Sequence, residues 1–101
     1  MSAQTPLLHV FPLFLPGQIV ATRGALELLE RHRECPETFL RRHLEGDWGD
    51  LCPEDVEGNT EALQYGFRVM SSYPLGPRRE KLWVITESDR SVTTLLLPDD
   101  Y

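Results

Sequence analysis

The sequence predicts a single α+β domain, in which an N-terminal strand or hairpin is followed by three short helices and then by a three-stranded antiparallel meander. Apolar residues recur at helical spacing in the first part of the chain and at every second position towards its end. The predicted helices precede the strands instead of alternating with them, which argues against a parallel sheet. A chain of 101 residues has the length of one domain, and we expect residues 1–6 to be disordered.

The N-terminal segment predicts two short strands and the first helix. Residues Leu8 to Phe14 and Gln18 to Ala21 favour extended structure, and the Pro-Gly pair between them is a strong turn signal. Thr22 then supplies a hydroxyl that can cap a helix. We expect this helix to run to about Arg33.

The second and third helices are predicted to begin in the same way. Residues 35–36 and 52–53 both read Cys-Pro, followed by glutamate, and proline at the first helical position loses no hydrogen bond there. Gly46 and Gly66 can take the left-handed conformation that ends a helix. One face of the second helix carries an apolar stripe with a single imidazole in it: Phe39, Leu40, His43 and Leu44.

The last third of the chain predicts three antiparallel strands, Phe67 to Leu75, Leu82 to Glu87 and Val92 to Leu97. A short final loop places Thr86 opposite Thr93 and Val84 opposite Leu95. Both faces of this sheet are then largely apolar, so each needs cover. The helices would cover one face, and the N-terminal hairpin, a second copy of the chain or an obligate partner would cover the other.

Charge and cysteine content exclude several classes of protein. Ten basic and sixteen acidic residues give a net charge of −6, which disfavours a general nucleic-acid binder. Residues 45–61 hold seven carboxylates and no lysine or arginine. Two isolated cysteines predict neither a zinc site nor a disulfide framework, and they suit the cytoplasm. The apolar run 7–21 is broken by prolines and is too short to span a membrane. We expect no cofactor.

The stretch 43–55, HLEGDWGDLCPED, is the first candidate site. Asp47 and Asp50 could bind a hard cation, but the spacing of a calcium loop is absent. We favour the alternative that these residues form turns between two helices while Trp48 packs inward. His43 could be a metal ligand or a base towards Cys52, but we expect it to bond a carbonyl at the edge of the core. No catalytic residue and no metal ligand is assigned.

The second candidate site is the tip of the last hairpin. Glu87, Asp89 and Arg90 lie there among serines and threonines, a larger set of hydrogen-bonding groups than a turn requires. We predict an interaction surface formed by these residues together with Asp47, Trp48 and Asp50.

Three stretches carry a resemblance to a known family. Residues 18–27 read QIVATRGALE, residues 42–51 read RHLEGDWGDL, and residues 83–94 read WVITESDRSVTT. With these motifs in this order, the chain resembles, from about Leu13 to Tyr101, a family of small uncharacterised bacterial proteins often found on plasmids and integrated elements. Arg23 stands where that family often has proline, which affects only the start of the first helix. The resemblance implies a genetic setting and no activity.

Some members of that family are labelled "type I restriction endonuclease subunit M" or "plasmid-related protein". The first label implies a methyltransferase, which needs a doubly wound sheet with a glycine-rich turn. The sequence predicts neither, so we discount it.

Three functions remain open from the sequence. The first is a non-catalytic interaction protein of a mobile element, an accessory, regulatory or anti-defence factor acting through the hairpin tip or the acidic 45–61 face. The second is a metal-assisted hydrolase or nuclease that uses the Asp47/Asp50 loop and the Glu87/Asp89 hairpin, supported by His43 or Arg90. The third is a nucleic-acid binder with Trp48 or Tyr73 stacking on bases and with these arginines on the phosphates: Arg31, Arg33, Arg41, Arg42, Arg78 and Arg79.

Overall fold

The computed structural model describes residues 12–101 and has an α+β fold. Predictions for residues 1–6 and for 8–11 lie outside this range. Within it, no helix is long and apolar enough to cross a membrane. The elements, in chain order, are β1 (Gln18–Ala21), α1 (Arg23–Arg31), α2 (Pro36–Leu44), α3 (Pro53–Tyr65), β2 (Val69–Leu75), β3 (Glu80–Thr86), β4 (Val92–Leu96) and a 3-10 turn (Pro98–Asp100).

The helix boundaries follow the predicted signals closely. Thr22 accepts a hydrogen bond from the backbone N–H of Ala25 at 3.1 Å and so caps α1. Cys35 and Cys52 occupy the cap positions of α2 and α3 with proline next to them, although neither side chain makes a capping hydrogen bond. Helix α1 ends at Arg31, earlier than predicted, because the backbone turns left-handed at Arg33 (φ 53°).

The sheet differs from the predicted three-stranded antiparallel meander. Strands β2, β3 and β4 form that meander, and Thr86 lies opposite Thr93 as predicted. However, β1 pairs with β4 in parallel, which gives a four-stranded mixed sheet in the order β1-β4-β3-β2. The prediction that the sheet has no parallel pair was therefore wrong. The three helices, together with β2 and β3, form one long connection that brings the chain back to the sheet beside β1. Residues 12–14 do not form the predicted strand.

The core lies between one face of the sheet and helices α1 and α2. Tyr73 and Leu82 are fully buried there, with Leu28 of α1 and Phe39 of α2 packed against them. On the opposite face Ile85 and Leu96 are also buried. Trp83 on that face packs edge-on against Tyr101, with ring centroids 6.0 Å apart. The C-terminal segment, which the sequence reasoning had not used, therefore covers part of the second face.

The outer edge of β2 is closed by hydrogen bonds from elsewhere in the chain. The Asn59 side chain of α3 donates to the Met70 carbonyl at 2.7 Å and accepts from the Met70 N–H at 3.1 Å. The loop before α3 pairs with Ser72, whose N–H donates to the Trp48 carbonyl at 2.9 Å. An edge strand with its backbone groups satisfied in this way cannot add another strand.

Gly49 is required for this closure, because its φ is +77° and a Cβ would lie 2.1 Å from the Ser72 carbonyl oxygen. We expect Gly49→Ala to lower the free energy of unfolding by roughly 1–3 kcal/mol in urea denaturation. Gly58 in α3 is the matched control, because a Cβ there meets nothing within 4 Å. Gly58→Ala should leave stability unchanged or raise it by up to about 1 kcal/mol. Equal effects of the two changes would contradict the closure.

Candidate functional site

His43 is the centre of a buried hydrogen-bond chain. Its Nδ1 atom lies 2.6 Å from the Ser71 hydroxyl, and its Nε2 atom lies 3.0 Å from the Thr86 hydroxyl. The Thr86 hydroxyl lies 2.6 Å from that of Thr93, which donates to the Pro16 carbonyl at 2.7 Å. This chain of hydrogen bonds therefore joins α2, β2, β3, β4 and the segment before β1.

Counting protons along this chain fixes the form of the imidazole. Thr93 has one hydroxyl proton and gives it to Pro16, so it must accept the proton of Thr86. Thr86 in turn accepts from Nε2–H of His43. A neutral imidazole protonated at Nε2 has a bare Nδ1, which accepts from Ser71. Every donor in this hydrogen-bond chain then has an acceptor.

Burial determines what this chain can do. His43, Ser71 and Thr86 are all fully buried, and burial together with the charge of Arg90 lowers the pKa of His43 to about 4. The Ser71–His43 contact resembles a nucleophile beside its base, but no substrate can reach a buried hydroxyl. The expectation that His43 bonds a carbonyl at the core edge was wrong in detail, since it lies inside the core and bonds two hydroxyls.

The two predicted polar clusters meet at His43, which bonds the Thr86 hydroxyl and is surrounded by aromatic rings. Trp48 packs edge-on against His43, with ring centroids 5.9 Å apart. Phe14 contacts the same imidazole at 5.2 Å, and the Arg90 guanidinium lies 5.4 Å from the Phe14 ring centroid. Trp48 and Phe14 therefore both pack against the buried imidazole, and Arg90 lies beside Phe14.

Arg90 holds the end of α3 in place. Its guanidinium donates to the carbonyls of Phe67 at 2.6 Å, Glu87 at 3.1 Å and Ala62 at 3.1 Å. Cations near a helix C-terminus stabilise its unpaired carbonyls. Arg90 was predicted as a recognition residue, and its donors are instead directed at the protein's own backbone.

The predicted carboxylates are engaged separately. Asp47 bonds Arg42 at 2.7 Å, which holds the pKa of Asp47 below its usual range, and Asp50 bonds Arg79 at 3.1 Å. Asp89 accepts from the Ser91 N–H of its own turn at 3.0 Å. In the part of the chain that the structure describes, no three residues of the types His, Cys, Asp and Glu converge to hold a metal ion.

Other groups considered from the sequence also have structural partners. The Cys35 thiol donates to Glu37 at 2.7 Å, which raises the pKa of Cys35 and opposes formation of a nucleophilic thiolate. Tyr73, proposed to stack on bases, is fully buried, and its hydroxyl donates to the Asp47 carbonyl at 2.6 Å. Arg31 is paired with Glu80 at 3.1 Å.

Helix α3 carries the acidic face. It has thirteen residues and buries only Asn59 and Ala62, so the rest of its surface is free of the core. The acidic face consists of exposed carboxylates that form no ion pair with any residue in 12–101: Glu54, Asp55, Glu57 and Glu61.

Comparison of the chain with models of known families, with curated proteins and with solved structures found no match.

The buried imidazole predicts loss of stability in acid. Between pH 6.5 and about 4 the unfolded chain binds a proton at His43 and the folded chain does not, so stability falls as the pH falls. Over this window we expect the wild type to lose about 3 kcal/mol of unfolding free energy that a His43→Gln variant does not lose. Urea denaturation at several pH values measures both, and parallel curves for the two proteins would disprove the assignment.

The hydroxyl chain predicts a difference between two isosteric changes. Thr86→Val leaves the Nε2–H of His43 without an acceptor, which should cost about 1–3 kcal/mol. Thr94 is half-buried on the opposite face of the sheet and takes no part in these hydrogen bonds, so Thr94→Val should change the free energy of unfolding by less than about 0.5 kcal/mol. Thermal or urea unfolding distinguishes them, and an equally stable Thr86→Val protein would refute the network.

Proposed function

We propose that this protein is a non-catalytic interaction protein whose acidic face on α3 binds a basic surface of a protein partner. The observation that supports it is the set of exposed carboxylates on α3 that no cation of residues 12–101 balances. Carboxylates in the stretch before the helix differ, because Asp47 and Asp50 are paired with arginines. Helix α3 itself contains no basic residue, so its carboxylates are not balanced within the helix.

Helix α3 is suited to present these charges in a fixed arrangement. Asn59 attaches it to the β2 edge, and Arg90 fixes its last turn, so its outward side chains are not needed for folding. Glu54, Glu57 and Glu61 recur at spacings of three and four residues and share one side of the helix. Like charges at this spacing cost a few tenths of a kcal/mol each in an isolated helix. A partner that supplies cations would offset that cost.

A row of carboxylates on a rigid helix favours one class of partner. Its field attracts basic clefts and repels phosphate backbones, and the net charge of −6 acts in the same direction. The basic clefts of nucleic-acid-binding proteins are complementary to such a row. Together with the resemblance to proteins of plasmids and integrated elements, this supports an accessory or anti-defence role against a DNA-binding protein of a bacterial host.

The geometry gives little support to the hydrolase alternative. A metal-assisted mechanism needs several oxygen or nitrogen ligands at one point. The Asp47 and Asp50 carboxylates are bound by different arginines, and that of Asp89 accepts within its own turn.

The test compares two triple variants with the same change in charge. Glu54→Gln, Glu57→Gln and Glu61→Gln neutralise α3, whereas Glu27→Gln, Glu30→Gln and Glu34→Gln neutralise exposed positions on and after α1. Affinity capture from a bacterial lysate at low salt should retain a basic protein on the wild type and on the α1 variant. With the α3 variant, association of the purified partner should slow by about tenfold or more.

Salt and the control variant decide the outcome. A true partner of the acidic face is released at high salt, because screening removes the attraction. If no protein is captured, or if both triple variants retain the same protein equally, the acidic face is not the binding surface.

A further inference from the structure

A cleft lies on the second face of the sheet, opposite the face that packs against α1 and α2. Side chains alternate along a strand, so Ser72 of β2 and Trp83 of β3 share this face, and the register places the two residues directly opposite each other. Residues 50–52 and the first turn of α3 form the other wall, where the Asp50 N–H donates to the Ser72 carbonyl at 2.6 Å. The cleft is open to solvent and has a volume of about 250 Å³.

The Ser72 hydroxyl lies at this cleft without a hydrogen-bond partner. Ser72 is only 3% exposed, and its Oγ atom neither donates nor accepts a hydrogen bond within residues 12–101. Ser71, one residue earlier, faces the core and bonds His43, whereas Ser72 lines an open cleft. A buried hydroxyl without a partner destabilises a fold, so its presence at a cleft points to a bonding group that comes from outside.

Two opposite charges line the same cleft. Lys81 is the only lysine of the sequence, and Asp55 lies in the first turn of α3. Neither residue forms an ion pair with any residue in 12–101, and they do not pair with each other. The carboxylate of Asp50, which also lines the cleft, is paired with Arg79 at 3.1 Å. Among the described residues, the cleft therefore presents one unpaired cation and one unpaired anion.

We propose that this cleft binds a free amino acid with an apolar side chain. The ammonium group of the ligand binds the Asp55 carboxylate, and the carboxylate of the ligand binds the Lys81 ammonium. Lys81 lies diagonally across the strand pair from Ser72, a distance that a long side chain can span, so the Ser72 hydroxyl donates to the same ligand carboxylate. Three apolar residues of the lining contact the side chain of the ligand: Leu51, Met70 and Trp83.

Charge and size disfavour other occupants of the cleft. A phosphate would lie beside the Asp55 carboxylate, and a basic side chain of a partner would lie beside Lys81, so either would meet a like charge. Pockets for drug-sized ligands measure roughly 300–1,000 Å³, and this smaller cleft fits a molecule of amino-acid size. Residues 1–11 contain no aspartate or glutamate, so their side chains have no carboxylate to offer Lys81.

The probes for this site are L-leucine and L-methionine, measured with the full chain by titration calorimetry and by the midpoint of thermal unfolding. A ligand that binds only the folded protein raises this midpoint as its concentration rises. Leucinamide lacks the carboxylate and N-acetyl-leucine lacks the ammonium, so each should bind at least about tenfold more weakly than leucine. The proposal is overturned if neither amino acid binds at concentrations up to about 10 mM, or if either derivative binds as tightly as leucine.

Substitutions in the cleft separate binding from folding. Ser72→Ala should weaken leucine binding at least about tenfold, while the thermal midpoint of the free protein stays the same or rises, because the hydroxyl has no partner to lose within residues 12–101. Lys81→Met removes the charge of a side chain of similar length and should weaken binding to a similar degree. Arg78→Met is the matched control, because Arg78 is exposed and does not line the cleft. A Ser72→Ala or Lys81→Met protein that binds leucine as the wild type does contradicts the assignment.

Alkylation of the two cysteines locates the ligand. Both thiols are exposed, but Cys52 lines the cleft and Cys35, at the start of α2, does not. Leucine should slow the reaction of iodoacetamide with Cys52 in a Cys35→Ser protein and should leave the reaction of Cys35 unchanged in a Cys52→Ser protein. Equal protection of both thiols, or of neither, rules out this cleft as the site.

The proposed function of α3 can be tested separately, because Glu54, Glu57 and Glu61 do not line the cleft. Neutralising these three glutamates should leave leucine binding intact, and Lys81→Met should leave capture by the acidic face in place.

Discussion

The neutral imidazole of His43 is the constraint on which the rest of the architecture depends. The imidazole accepts a hydrogen bond from Ser71 and donates one to Thr86. The Thr86 hydroxyl donates in turn to Thr93, whose hydroxyl donates to the Pro16 carbonyl. Leaving a buried polar group without a hydrogen-bond partner costs free energy of folding, so each residue in this series of hydrogen bonds requires the next one. Four secondary-structure elements and the segment before β1 are thereby held at a common point, and the register of each strand is fixed there.

Two arginines extend this arrangement to the surrounding loops. Arg90 binds the carbonyls at the end of α3, and Arg42 binds Asp47 while its guanidinium lies 4.4 Å from the Tyr73 ring centroid. Most of the polar residues in the two clusters therefore stabilise the fold. Among residues 12–101, the acidic face of α3 forms no ion pair and β1 has no strand on its outer side, and the two lie at opposite sides of the sheet.

Local signals were sufficient to predict the helices and the last hairpin. Proline after a cap position, glycine after a last turn and alternation of apolar residues act over a few residues, and the pairing of Thr86 with Thr93 followed from the loop length. The parallel pairing of β1 was not predicted, because it depends on how three helices return the chain to the sheet. For the same reason the partners of His43 were missed: Ser71 and Thr86 lie on two strands, and only the register brings their hydroxyls together under α2. Arg90 was predicted to be an interaction residue, but its backbone partners were not predicted, because the sequence does not show which carbonyls lie within reach of its guanidinium.

The β1–β4 pair has a consequence for how the molecule is made. Gln18 lies beside Val92, so strands 74 positions apart must meet, and loop closure over that distance is slow compared with hairpin formation. During synthesis, β1 leaves the ribosome long before its only described strand partner exists. Strand β1 can therefore join the described sheet only after residues 92–95 have been translated, and until then its apolar side chains have no strand partner there.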